Sequence, residues 1–191
     1  MDFLSADEVC DALAEHVRRY FGSRRVDVFT WTAGPIQAAN PHFRVLRIAP
    51  REPNELWQYV SIGGWAATAD QDHGLEFVLT SPYETPRAVE LLAMIVYYHD
   101  GGRLALGHTA PIGEPWLPGS RCDHLMVSLP YPFGPALQRC HVGYRHVDFL
   151  WLLPITKAER DFKAANGQEE LERRFDAAGL RYWEVERESV I

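Results

Sequence analysis

Glu55-Leu-Trp-Gln-Tyr-Val-Ser-Ile-Gly-Gly64 and, after a short interval, His73-Gly-Leu-Glu-Phe-Val-Leu79 are the segments on which the fold turns. Both are dense in aromatic and branched side chains, and the first ends on paired glycines, so they predict two strands joined by a tight link. Working outward, Arg25 to Trp31 and Phe43 to Ile48 alternate apolar and polar residues as half-buried strands do, with Gly34-Pro35 and Asn40-Pro41 marking turns. Four strands are therefore expected before the second helix. Ser5 and Glu8 form a capping box ahead of Val9, Leu13, Val17, Tyr20 and Phe21, which predicts a first helix from Ala6 to Phe21. Thr85-Pro86 is a helix entry, Val89, Leu92, Ala93, Val96 and Tyr97 mark its apolar face, and Gly101-Gly102 stops it.

The stretch from Arg103 to Pro135 is dense in proline and glycine, with one strand expected at His124 to Leu129 and a long loop at Thr109 to Ser120. Arg145 to Leu153 is apolar without alternation, the pattern of a central strand covered on both faces. Thr156 and Glu159 make a second capping box, Asn166-Gly167 ends that helix, and Gln168 to Ala178 supplies another. Beyond it, Arg181 to Val185 reads either as an edge strand or as an irregular tail. The sum is an α+β fold: a mixed, mostly antiparallel sheet with helices packed on it, in one domain over residues 1–191.

With 191 residues, 47% apolar and 24% charged, the chain has the balance of a globular protein with an ample core. A net charge of −7 lacks the basic footprint that phosphate backbones attract, so nucleic acid is not an expected partner. Met1-Asp-Phe-Leu-Ser-Ala-Asp-Glu8 has no basic start before a long apolar run, and no window reaches the ~18 uncharged apolar residues of a membrane span. Cys10, Cys122 and Cys140 are an odd, scattered set that suits reduced thiols, and a cytoplasmic location follows as the expectation.

Chemical signatures are scarce. Cys122 with His124, Cys140 with His141, and His146 are the candidate zinc ligands, but their spacings match no zinc template, and adjacent Cys140 and His141 would point opposite ways on a strand. No nucleophile elbow, phosphate-binding loop or dinucleotide fingerprint is present. No metal, cofactor or catalytic residue is expected. Glu76 sits in an otherwise apolar strand; alternation turns it to solvent, whereas burial beside a partner would raise its pKa toward acid–base use. His99-Asp100 reads as a helix cap or surface pair, where a protonated imidazole would complement the helix carboxyl end.

Aromatic side chains are the richest material for recognition, because they bury much area at low entropic loss. Trp57, Tyr59, Trp65 and Trp116, with Glu76, are the candidate partner-binding residues. Trp57 and Tyr59 share a strand face. If that face is core they enter it together, the Tyr59 hydroxyl reaching the edge, while Trp116, between Pro111 and Pro118, is the hardest to place inside.

The two opening segments, with Thr156-Lys-Ala-Glu159 and Asn166-Gly-Gln-Glu-Glu-Leu171, resemble the Suppressor-of-fused domain family in wording, order and approximate spacing, from about Glu55 to Leu180. The resemblance implies an α/β core without catalytic activity. In eukaryotic relatives this domain holds a short segment of the Gli transcription factors by strand pairing, and the likeness marks Tyr59, in its Trp-x-Tyr-Val-Ser run, as a partner contact. Those relatives clamp the segment between this domain and a second one, which this sequence lacks, so Gli binding is not implied. The compact form resembles bacterial members, a subgroup proposed to include immunity proteins that neutralise toxins.

The leading expectation is a non-enzymatic protein-binding module, an immunity protein whose acidity helps it meet a basic toxin domain. A second reading is an enzyme or small-ligand binder with the Thr109 to Ser120 loop as a lid over Glu76 or His73. A third is a homodimer or larger scaffold built by an edge strand pairing with its own copy.

Overall fold

A computed structural model of the chain describes residues 4–69 and 71–191. Met1 to Phe3, from which the absence of a leader was read, lie outside the described residues, as does Asp70. The first helix, α1, runs Ala6–Phe21, and its capping box forms as the sequence predicts: the Ser5 hydroxyl accepts the Glu8 N–H and the Glu8 carboxylate takes the Ser5 N–H. Three antiparallel strands follow, β1 (Val26–Thr30), β2 (Arg44–Ile48) and β3 (Trp57–Ile62). Between β1 and β2 lies a short helix, α2 (Pro35–Ala39), where the Gly34-Pro35 pair had suggested only a turn. Proline suits the first helical position because its missing N–H has no partner there anyway.

β3 leads through a 3₁₀ turn at Gly64–Thr68 into β4 (His73–Ser81), which pairs antiparallel with β3. Helix α3 (Pro86–His99) is capped by Thr85. Beyond it lie β5 (Thr109–Pro111), β6 (Cys122–Ser128), a single helical turn α4 (Pro135–Gln138) and β7 (Arg139–Val142). Of the region read as one long loop, Thr109–Pro111 is thus a strand paired with β6. β8 (Arg145–Thr156) is the axis of the sheet, and α5 (Lys157–Asn166) and α6 (Gln168–Ala178) follow it. The C-terminal segment Arg181 to Val185 forms no strand.

The strand order is β1-β2-β3-β4-β8-β6-β5, with β7 also pairing β8. β4 and β8 are parallel, with His73 opposite His146; the other pairings are antiparallel. This is the expected mixed sheet with helices on it. One face carries α3 and the segment after it, over a core that includes Tyr59, Phe77, Leu92, Ile95, Trp116 and Leu152. On the opposite face, α1 packs on Leu46, Val60, Val78 and Phe149, and α6 covers Met126, Trp151 and Leu153 through Leu171 and Phe175. β8 serves all three clusters, which is why its sequence is apolar without alternation. Among the described residues no helix is long and apolar enough to cross a membrane.

Candidate protein-interaction site

Four of the five residues expected to meet a partner are placed inside. Tyr59 has no exposed area, and its hydroxyl accepts the Thr85 N–H at 2.9 Å, tying β3 to the start of α3. Trp57 packs on the same core but is half-buried, with the guanidinium groups of Arg47 and Arg25 at 5.4 and 5.9 Å from its ring. Trp116 is buried in spite of its proline-rich surroundings, because its backbone N–H donates to Cys122 O at 2.9 Å and lays the loop along β6. Trp65, on the opposite side of the sheet, is buried with its indole N–H donating to Cys10 Sγ at 3.4 Å.

Alternation had turned Glu76 to solvent, but it is fully buried because both faces of β4 are covered. Its carboxylate accepts the Ser61 hydroxyl and the backbone N–H groups of Gly63 at 2.6 Å, Gly64 at 3.1 Å and Trp65 at 3.4 Å. It therefore pins the 3₁₀ turn. Gly64 has to be glycine: a Cβ there would stand 2.8 Å from Leu75 O and 3.1 Å from Glu76 Oε2. Burial pushes Glu76 up to about 7 against the opposing pull of these four donors. His99 also departs from expectation. It is buried, its Nδ1 accepts the Leu104 N–H at 3.0 Å, and burial holds it down to about 4, so it is a neutral brace rather than a charged cap. His73 and Glu76 point to opposite faces of β4, so a lid made by the 109–120 segment could serve one of them and not the other.

The exposed feature that does gather recognition chemistry lies where α6 leaves the sheet. A groove of about 580 Å³ has Met126, Trp151 and Leu153 as its floor, Glu172, Phe175 and Asp176 of α6 as one wall, and Tyr131 and Pro132 as the other. Tyr182 closes the end, its ring edge-on to Trp151 at 4.7 Å. Trp151 is nearly covered, yet its indole N–H finds no hydrogen-bond partner among the described residues. Tyr131 is 62% exposed. Burial, then the Glu172 and Asp176 carboxylates, raise the Tyr131 hydroxyl above its ordinary pKa. Glu172 accepts only from Gln168 Nε2, at 2.7 Å, and neither carboxylate meets a cationic side chain among the described residues.

Aromatic faces beside two unneutralised carboxylates suit a cationic group, which gains from ring quadrupoles and from charge together. Sequence reasoning included Tyr131 among the aromatics and read Trp151 as strand core, but it missed Glu172, Asp176 and Tyr182 as parts of a site. Spacing on α6 puts Glu172 and Asp176 on one helix face, four residues apart; what faces them is set only by the fold.

The family model for Suppressor of fused protein (SUFU) matches residues 39–188. A protein described as a SUFU homologue from Neisseria gonorrhoeae FA 1090 is 35% identical, with a TM-score of 0.86 over 96% of this chain and 97% of that one. A chain of the Sufu–Fu complex superposes with a TM-score of 0.73 at 13% identity, over 95% of this chain and 92% of that one. Drosophila Suppressor of Fused gives the same TM-score and identity over 96% of this chain but 51% of its own, so this chain spans about half of that protein. At such identity the last two show a shared fold. No curated protein matches the chain by sequence.

Proposed function

The chain belongs to the Suppressor of fused protein family, and from that premise we propose that it is a non-enzymatic protein-binding module. A fold relative occurs in a complex with another protein, Fu, which supports assigning this chain to recognition. The observation that carries the reading is the groove floored by Trp151. It offers aromatic area and two carboxylates that meet no cationic side chain among the described residues. Its occupant is a basic segment of a protein partner, an arginine or lysine side chain seated against Tyr131 and Tyr182 between Glu172 and Asp176. Trp57, half-buried beside Arg47, lies on the α3 face, away from the groove, and Tyr59, Trp65, Trp116 and Glu76 act by holding strands and turns in place.

The partner is a toxin-like protein met in the cytoplasm, and the chain neutralises it by occupation. A net charge of −7 speeds encounter with a basic partner. The test pairs this chain with the product of a neighbouring toxin-like gene, in a pull-down and a growth-rescue assay. Tyr131→Ala and Asp176→Asn, both at the groove rim, are expected to weaken binding by roughly tenfold or more each and to reduce rescue. No capture and no rescue with the wild type would remove the immunity role. Capture that survives both substitutions would remove the groove.

A further inference from the structure

We propose that His73, His146 and Asp148 form a binding site for a divalent transition-metal ion of the zinc class. The parallel pairing of β4 with β8 sets His73 directly beside His146, and Asp148 follows two residues on along the same face of β8. One ligand atom from each of the three side chains lies within 4.8 Å of the other two. Tetrahedral zinc, with bonds of about 2.0–2.2 Å, wants donor separations of about 3.4 Å, so small side-chain rotations close the set. His73 Nε2 already stands 3.5 Å from Asp148 Oδ2, and the His73 and His146 rings are 4.9 Å apart between centroids. The position of His146 in this row could not be read from the sequence, which groups it with Cys122, His124, Cys140 and His141.

Two imidazoles and one carboxylate are borderline-hard donors that suit zinc and its neighbours rather than calcium or magnesium, and three protein ligands leave a coordination position open. The surroundings supply the support such a site needs. Arg139, opposite Asp148 on β7, donates to both oxygens of that carboxylate at 2.6 and 2.9 Å, fixing its orientation as outer-shell partners of metal-bound carboxylates do. The His146 imidazole makes no hydrogen bond among the described residues and meets the rings of His73 and His141, so its nitrogens are not committed elsewhere. Beside the cluster is a cleft of about 430 Å³, whose lining includes His73, Asp148, Arg139 and His99. His99 is buried, and its Nε2 has no partner among the described residues. Because Nδ1 accepts from Leu104, Nε2 carries the proton.

The experiment uses the full chain, stripped with a chelator and titrated with Zn²⁺ by calorimetry, then with Co²⁺ followed by its visible d–d bands. One equivalent of Zn²⁺ and low-symmetry Co²⁺ bands are expected for the wild type. His73→Ala, at a surface-accessible imidazole, and His146→Ala should each lower Zn²⁺ affinity by at least roughly tenfold and abolish the Co²⁺ bands. Their melting temperatures in chelator should match the wild type, which separates loss of the site from loss of the fold. No saturable binding, or affinity unchanged in both variants, overturns the proposal. The outcome is independent of the groove on the other face of the sheet, whose variants should leave zinc binding intact.

Discussion

Glu76 and His99 are both buried without a counter-ion, and their pKa values move in opposite senses. Glu76 is pushed from 4.5 to about 7, so the folded chain keeps a proton there that the unfolded chain has lost; its contribution to stability is full below about pH 4.5 and falls away as pH rises toward 7. His99 is held from 6.5 down to about 4, so the unfolded chain takes up a proton first; its contribution is full above about pH 6.5 and is lost as pH falls toward 4. Asp27, Asp148 and Asp161 are lowered from 3.8 and titrate below the overlap. Between roughly pH 4.5 and 6.5 the slopes of Glu76 and His99 therefore oppose each other. Urea unfolding of the wild type should be nearly flat across that window. His99→Gln keeps an acceptor for the Leu104 N–H and removes one slope, so stability of the variant should fall with rising pH, by up to about 3 kcal/mol. A variant curve as flat as that of the wild type would overturn the account of His99 as neutral. Neither residue was legible in the sequence: the burial of Glu76 needs the 3₁₀ turn and both neighbouring strands, and that of His99 needs the chain to double back at Leu104.

The two capping boxes were legible because all their atoms lie within four residues, and α1, α5 and α6 begin where the sequence put them. The short elements were not. β5, β7, α2 and α4 hold three to five residues, too few to display a period of either kind. β8 runs on through Pro154 to Thr156, beyond the Arg145 to Leu153 run read from the sequence; the strand tolerates proline there because pairing with β4 stops at Trp151. The second capping box does more than start a helix. Glu159, fully buried, accepts the Thr156 N–H at 2.8 Å and the Val190 N–H at 3.1 Å, and takes both arms of Arg187 at 2.7 and 2.8 Å. Arg187 also donates to Pro154 O at 3.0 Å, so one ion pair fastens the irregular C-terminal segment to β8 and α5. Arg187→Ala would leave a carboxylate buried with its charge uncompensated, and a loss of about 3–5 kcal/mol is expected in urea unfolding. Joint replacement of Glu159 and Arg187 by leucine and methionine should lose less than the single variant, since no buried charge remains. Equal losses would mean that packing of the segment, rather than charge, is what Arg187 supplies.

At the scale of the molecule, the sheet is organised around one strand. β8 has β4 on one side, and on the other β7 along its first half and β6 along its second. Its alternate side chains enter the core under α3 and the two clusters under α1 and α6. The apolar run marked it as central, but its parallel partner could not be read: β4 and β8 are separated by α3, α4 and three strands, and no local pattern encodes which strand closes such a gap. That pairing is also what juxtaposes His73 with Asp148, and the packing of α6 on β8 is what faces Glu172 toward Tyr131; both sites are products of long-range assembly. Opening β8 to solvent would mean parting pairs on both edges and exposing all three clusters, which amounts to global unfolding. The outermost strands are different. β1 is bonded only to β2, with Val28 46% exposed, and β5 is three residues long and bonded only to β6. Native-state hydrogen exchange should therefore find the amides from Phe149 to Leu152 among the slowest, with an opening free energy equal to that of denaturant unfolding. Amides of β1 and β5 should open several kcal/mol below it, with little dependence on denaturant. If β1 exchanged as slowly as β8, the sheet would open only as a whole, and the ranking argued from its strand order would fail.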